Sequence, residues 1–471
     1  MKKIILTVYM AIIVQFSMAQ KLDRSKKPLP GPAPIIQIKN PVIFKLETGL
    51  TVLVVENHQH PKITATFSTD GGPIFEGKKA GVIGILSGML KEGTIKYAKA
   101  ELDEKIDQMG AELSVSAGGS YVSSLTPYFQ EAFTLMIEAL REPAFSKDSF
   151  DKLKSQHLSS IKSEEKNVTS ISSRVVRALS FGPDHALGEF ATARSVEAIT
   201  LEDVKTLYRE ILTPSKGYLT IVGDITPDKA RSLVKNTFGN WKGPVIHPYN
   251  PSKVENLAKT EVNIIDLPSA VQSEITVLNL IELPLSSPDY HAVLLANQIL
   301  GVGANGRLFK NLREKHGFTY GAYSAVGSGR NQTTFSASAS VRNDKVDSAV
   351  FELLKEIKLI GNEIVSEDAL QNAKNLYNGN FALNMENPAI GAGFASSILV
   401  NKLPKDFYKK FLEKLNAVTQ KDVMRVSQQY FMSERARIVI VGNSKAFSQN
   451  LKASGLAVKY FDIYANPVPE I

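Results

Sequence analysis

Arg313 and Tyr320 stand seven residues apart in the run R-E-K-H-G-F-T-Y. A guanidinium can grip peptide carbonyls with its fork of N–H donors, and a phenol can donate to an oxygen on which charge is developing. On spacing alone the plainer reading comes first: a surface ion pair of Arg313 with Glu314 or a neighbour, and a half-buried tyrosine. Other reactive residue types are sparse. The chain has no cysteine, which excludes disulfides, thiolate metal sites and a lipid-anchor cysteine. Its seven histidines are 58, 60, 157, 185, 247, 291 and 316. His58 and His60 form an H-x-H pair in a predicted hairpin turn and read as exposed loop residues. His157 lies on a predicted helix and reads as ordinary surface.

The run AGVIGILSGMLKEGT, Ala80 to Thr94, predicts a helix over 80–91. Gly81, Gly84 and Gly88 share one of its faces, with Ser87 at the edge. Interior helix glycines cost roughly 1 kcal/mol each relative to alanine. Such a face lets another element pack very close. The expected use is internal packing against a sheet; the functional alternative is a groove for a partner or a peptide.

These residues need elements to position them, and 471 residues are too many for one ordinary core. Lys2-Lys3, the apolar run Ile4–Val14 and Ser17-Met18-Ala19 have the order of a secretory signal cleaved after Ala19. A periplasmic or secreted protein is expected, with residues 1–19 removed. The apolar run is too short for a membrane helix, so no membrane anchor is expected. Residues 20–41 form a proline-rich tail, and order should begin near Val42. The net charge of +8 is thinly spread, and its densest patch is Lys21, Arg24, Lys26 and Lys27. No aromatic-interleaved basic stripe follows, so nucleic acid is not an expected partner.

Two runs of the chain repeat. Val196–Asp224 and Leu415–Asn443 align without a gap at an offset of 219, with seven identities in 29 positions, among them Thr200/Thr419, Asp203/Asp422 and Gly223/Gly442. Each reads as a helix capped by Thr, with Asp three residues on, leading into a buried strand stopped by Gly. Duplication predicts an α+β protein of two homologous domains, 42–242 and 261–471, joined by a linker at 243–260. Each should be a mostly antiparallel sheet packed with helices. Thr48–Gly72 within this frame reads as a hairpin around the polar turn Asn57–Lys62.

The chain resembles the pitrilysin/insulinase-type zinc peptidases, specifically the short two-domain class that includes the mitochondrial processing peptidase. The marks are Gly93-Thr94 after the motif helix, Gly110-Ala111, Pro143-Ala144-Phe145, the strand Ile221–Asp224, Asp266/Pro268/Gln272 in IDLPSAVQSEI, and LGVGANGRLFKNLREKHGFTYGAYS. They span nearly all of Val42 to the C-terminus. The resemblance implies metallohydrolase-like half-clamshells. It also implies an H-x-x-E-H helix nine residues before the Gly-Thr pair, where two His and a downstream Glu hold zinc and the middle Glu activates water. Here those positions are Gly84, Ser87 and Gly88, and alignment puts the downstream Glu at Ser160, with Glu164 and Glu165 one turn on. None of the four can hold catalytic zinc. His185 matches a family loop where it is not a ligand.

The resemblance also implies that Arg313 and Tyr320 reach across a chamber to the substrate backbone and the oxyanion. Retention of this pair with loss of the zinc motif is the pattern of the non-catalytic subunit of heterodimeric members. The expectation is therefore an exported pseudo-peptidase, itself without cofactor, that completes the site of a zinc-bearing homologous partner acting on peptides. The alternative is a homodimeric structural or peptide-binding protein without proteolysis. A free-standing peptidase with an unrecognised metal site is a third reading.

Overall fold

A computed structural model describes residues 41–245 and 250–470. The predicted signal at 1–19, nearly all of the tail, and His247 in the linker lie outside the described residues.

The chain is α+β, with two mixed sheets packed with helices. The first half carries strands β1 (Val42–Lys45), β2 (Thr51–Glu56), β3 (Lys62–Thr69), β4 (Glu112–Ser116), β5 (Gly119–Leu125) and β6 (Gly217–Gly223). Its helices are α1 (Val82–Met89), α2 (Lys99–Gln108), α3 (Phe129–Arg141), α4 (Lys147–Glu164), α5 (Val168–Phe181), α6 (Ala193–Glu197), α7 (Leu201–Ile211) and α8 (Pro227–Phe238). The second half has β7 (Glu261–Asp266), β8 (Gln272–Ile281), β9 (Thr319–Val326), β10 (Thr333–Arg342), β11 (Arg437–Gly442), β12 (Ala457–Phe461) and β13 (Pro467–Val468). Its helices are α9 (Tyr290–Gly301), α10 (Arg307–Phe309, running into a π-helical turn Lys310–Lys315), α11 (Val346–Asn362), α12 (Glu367–Met385), α13 (Pro388–Val400), α14 (Phe411–Ala417), α15 (Gln420–Tyr430) and α16 (Ser448–Ala453).

The sheet orders are β1-β2-β6-β3-β5-β4 and β13-β12-β7-β11-β8-β10-β9. From β2 and from β7 onward, strands and helices follow one another in the same order in both halves. In each sheet the late strand enters the middle: β6 runs parallel to β2 and antiparallel to β3, as β11 does with β7 and β8. The predicted hairpin of β2 with β3 therefore does not form, because β6 separates them. A short polar turn reads as a hairpin in the sequence, but a buried apolar strand from far along the chain supplies both ladders.

The repeat is visible atom by atom. Thr200 and Asp203 cap α7 reciprocally, Thr200 N–H donating to Asp203 Oδ2 at 2.7 Å and Asp203 N–H to Thr200 Oγ1 at 3.2 Å. Thr419 and Asp422 do the same for α15, at 2.9 and 3.2 Å. Gly223 and Gly442 end the equivalent strands, opposite Glu56 and Asp266. A Cβ on Gly223 would stand 2.1 Å from Lys62 O, and one on Gly442 1.9 Å from Ser273 Oγ, so only glycine fits either place.

The halves exchange a helix. α5 of the first half lays Ile171 and Val175 on Ile265, Leu278, Val439 and Val441 of the second sheet. α13 of the second half lays Ala392 on Val55 and Val222 of the first. Each sheet thus has its own helices on one face and the other half's helix on the opposite face. The linker is also fastened in part. Asn256 exchanges hydrogen bonds with the Leu280 backbone at 2.7 and 2.8 Å, and Gln332 brackets Val254 at 2.8 and 3.0 Å.

Candidate functional site

α1 presents its small face to α4, not to a sheet as its sequence suggests. Ideal Cβ atoms on Gly84 and Gly88 would stand 3.3 Å from His157 Cε1 and 3.0 Å from Leu153 Cδ2, both on α4. Leu153 and His157 are four apart and so share a helix face, matching the four-residue spacing of the glycines. Gly81 starts the helix at φ +107°, where a Cβ would come within 2.9 Å of Val196 and 3.2 Å of His157 Nε2. His157 is therefore not ordinary surface: its Nε2 is buried and has no hydrogen-bond partner among the described residues. The imidazole fills the space the missing side chains leave.

The remaining motif positions are engaged elsewhere. Ser87 Oγ donates to Ile83 O at 2.8 Å and accepts from Ala117 N–H at 3.2 Å, tying α1 to the β4–β5 turn. Ser160 is exposed, donates to Glu164 Oε1 at 2.8 Å, and lies on the same face of α4 as Leu153 and His157. The helix N-terminus is capped by Glu76, whose carboxylate accepts from Gly81 N–H at 3.1 Å and Ile83 N–H at 2.8 Å. Burial pushes that carboxyl above its usual range despite the two backbone donors. The Gly-Thr mark also has a local cause. Gly93 turns at φ +96° with no room for a Cβ, and Thr94 Oγ1 donates to Glu138 at 2.8 Å while accepting from Lys96 and Tyr97 N–H.

The donor set does not fit zinc. Among the described residues no group of three or more His, Asp or Glu is placed to hold a metal ion. His58 is exposed, as expected, but it is tethered: Nδ1 lies 2.5 Å from Asp224 Oδ1 and Nε2 lies 2.7 Å from Glu56 Oε1. His185 is buried and spends both ring nitrogens on the backbone, at Ser252 O and Leu187 N–H.

Arg313 and Tyr320 lie at the far edge of the second sheet. Arg313 sits in the π-helical turn, exposed, with its guanidinium 4.8 Å from the centre of the Phe309 ring. The surface pair with Glu314 does not form, and no carboxylate lies within ion-pair distance of Arg313 among the described residues. Tyr320 lies at the start of the edge strand β9 and is 83% exposed, so it is not half-buried either. The β9–β10 register shifts between Ala339 and Val341, a bulge that turns Tyr320 out of the ladder. Thr319 Oγ1 fastens the bulge by donating to Ser340 O at 2.6 Å and accepting from Gly321 N–H at 3.1 Å.

Residues 51–181 match the family described as Insulinase (Peptidase family M16), and residues 198–377 match the Peptidase M16 inactive domain. The chain belongs to the M16 family. Two M16 relatives carry opposite names. A Bacillus subtilis protein named as an uncharacterized zinc protease, YmxG, is 20% identical over 86% of this chain and 95% of its own length. A Helicobacter pylori protein named as a non-peptidase homolog, YmxG, is 21% identical over 87% and 94%. Among solved structures, an M16 inactive domain from Pseudomonas fluorescens superposes with a TM-score of 0.77 at 22% identity, covering 86% of this chain and 98% of that one. The fold is shared.

Two residues at these sites escape a reading of the sequence. His157 could have been found from spacing, since glycines at i and i+4 ask for a neighbour with side chains at i and i+4. Asn311, buried beneath the Arg313 turn, carries no such signal, because nothing in L-F-K-N-L-R-E-K separates an inward amide from a surface one.

Proposed function

We propose that this M16 homologue is an exported, non-catalytic subunit that supplies Arg313, Tyr320 and half of a substrate chamber to a zinc-bearing homologous peptidase. The observation that carries the reading is a contrast in chemical equipment. The metal-motif positions Gly84, Ser87 and Gly88 offer no metal-binding side chain and rest against α4, whereas Arg313 and Tyr320 stand in solvent with no polar partner among the described residues. An exposed phenol and an unpaired guanidinium seven residues apart suit a peptide backbone and a developing oxyanion supplied from outside. The zinc belongs to the partner, and this chain carries none. No helix among the described residues is long and apolar enough to cross a membrane.

The test is reconstitution with an H-x-x-E-H homologue from the same source. The mixture should cleave peptides faster than the homologue alone, and chelation should abolish the activity. Lack of any complex, or equal rates with and without this chain, would overturn the reading. N-terminal sequencing of the mature chain should begin at Gln20. A second reading, peptide binding without proteolysis, is favoured by a cleft of about 900 Å³ walled by Pro73, Ile74, Phe75, Ile211 and Val245. Peptide affinity in the isolated chain would select it.

A further inference from the structure

The segment that carries Arg313 is held from beneath by an arrangement that ordinary packing does not require. Asn311 is only 7% exposed, and its Nδ2 donates to Glu352 Oε2 at 2.7 Å and to Glu356 Oε1 at 2.9 Å. A primary amide has two N–H donors, and here each goes to a different carboxylate of α11. The two acids are four apart on one helix face, where like charges repel unless something lies between them. The amide orientation follows from this chemistry, because the flipped form would aim its oxygen at both carboxylates.

The backbone around Asn311 is unusual in the same place. Asn311 O accepts from His316 N–H at 3.1 Å, the wider loop of a π-turn, and the segment then ends in a Schellman-like cap, Gly317 at φ +63° donating to Arg313 O at 3.1 Å and Phe318 N–H to Leu312 O at 2.9 Å. π-Turns have poor intrinsic stability and persist where side chains hold them. Arg313 is two residues from Asn311, so one points inward and the other outward.

We infer that Asn311 is the positioning residue for Arg313: its amide, clamped between Glu352 and Glu356, holds the π-helical turn that presents the guanidinium. This rests on the reading that Arg313 acts on substrate. The charged groups facing the clamp are Arg307 from α10, His316 from the turn and Lys355 from α11. His316 Nε2 lies 4.0 Å from Glu352 Oε1, and Lys355 Nζ lies 3.3 Å from Glu352 Oε2. Burial pushes both carboxyls up. The Asn311 amide and Lys355 outweigh it at Glu352, which ends below its usual range, while Glu356 ends above.

The informative variant is Asn311→Asp, which keeps the shape and puts a third carboxyl against the two. In the isolated full chain at pH 8, amide hydrogen exchange across residues 312–318 should speed up. Near pH 5, where protons can be shared among the three carboxyls, exchange should fall back toward that of the unmodified chain. Asn311→Leu should be loosened at both pH values, and adding Glu356→Gln to Asn311→Asp should restore protection at pH 8. With the zinc-bearing homologue, Asn311→Asp should lower kcat/KM on the order of 10- to 100-fold, the range a displaced catalytic group produces. It should add nothing to Arg313→Ala. Normal exchange in both Asn311 variants, with both folded by circular dichroism, would overturn the clamp. So would a loosened turn with no pH recovery and no rescue by Glu356→Gln, which would mark Asn311 as ordinary packing. If Arg313→Ala is silent in the complex while Asn311→Asp still loosens the turn, the clamp stands and the substrate role of Arg313 falls.

Discussion

The glycine face of α1 in the first half and the Arg313–Tyr320 segment in the second differ in what they offer: small residues without donors in one, a guanidinium and a phenol in the other. α1 packs on α4 with His157 beside Gly81 and Gly84 and Leu153 beside Gly88, and Gly84 keeps an exposed side. The segment from Arg307 to Tyr320 departs from regular helix and strand, with a π-turn and a bulge, and it leaves a guanidinium and a phenol in solvent. Closed packing is the ordinary result of burying apolar and small surface. Irregular backbone that exposes polar groups costs free energy and persists where neighbouring structure over-determines it. On the proposed reading the function of this chain resides in its second half, while the small face of α1 serves contact with α4.

The largest expected effect comes from removing the exposed groups in the reconstituted complex. Tyr320→Phe should lower turnover on the order of 100-fold or more with little change in KM, as expected for a donor used only in the transition state. Arg313→Ala should affect both kinetic constants. Unmodified rates in both variants would make the pair structural and leave the chain a peptide-binding half.

The next effect is on stability. Gly84→His with Gly88→His should destabilise the chain by about 1–3 kcal/mol, because the larger side chain at Gly88 overpacks against Leu153 while exposed Gly84 leaves room toward solvent. Elemental analysis of the purified double variant should show no stoichiometric zinc. A double variant that takes up stoichiometric zinc would mean that the face still has the geometry of a metal site. Gly81→Ala should cost about 2–3 kcal/mol, from its left-handed φ and the Val196 contact, read as a lower denaturant midpoint. Gly88→Ala should stay within about 1 kcal/mol of neutral, since the gain in helix propensity offsets pressure on the flexible Leu153 methyls.

The smallest effect concerns the cap of α1. The folded-state pKa of Glu76 is raised, so the folded chain holds its proton more tightly than the unfolded chain does. The contribution of Glu76 should therefore grow as pH falls through the raised value toward about 4.3, and shrink as pH rises. Thermal melts of Glu76→Gln against the unmodified chain from pH 4 to 7 should show the unmodified chain gaining relative stability on acidification. The opposite slope would mean that the backbone donors, and not burial, dominate at this cap.

Local physics made much of this protein legible in its sequence. The Thr-x-x-Asp caps, the strands ending at Gly223 and Gly442, and the empty metal positions at Gly84, Ser87 and Gly88 each depend on residues a few positions apart, where one side chain and one backbone group suffice. The duplication was legible for the same reason, since it repeats local patterns. Tertiary structure alone decided the rest. β6 enters between β2 and β3 because a buried strand needs two ladders, and a polar turn in the sequence cannot disclose a competitor arriving from far along the chain. α5 and α13 cross to the opposite sheets because each sheet has a second apolar face to cover, and amphipathicity says that a helix face is buried but not against what. His157 and Asn311 are ordinary polar residues in their own helices. One lies against the glycines of α1 and the other under the Arg313 turn, because burial is a property of what surrounds a residue rather than of the residue itself.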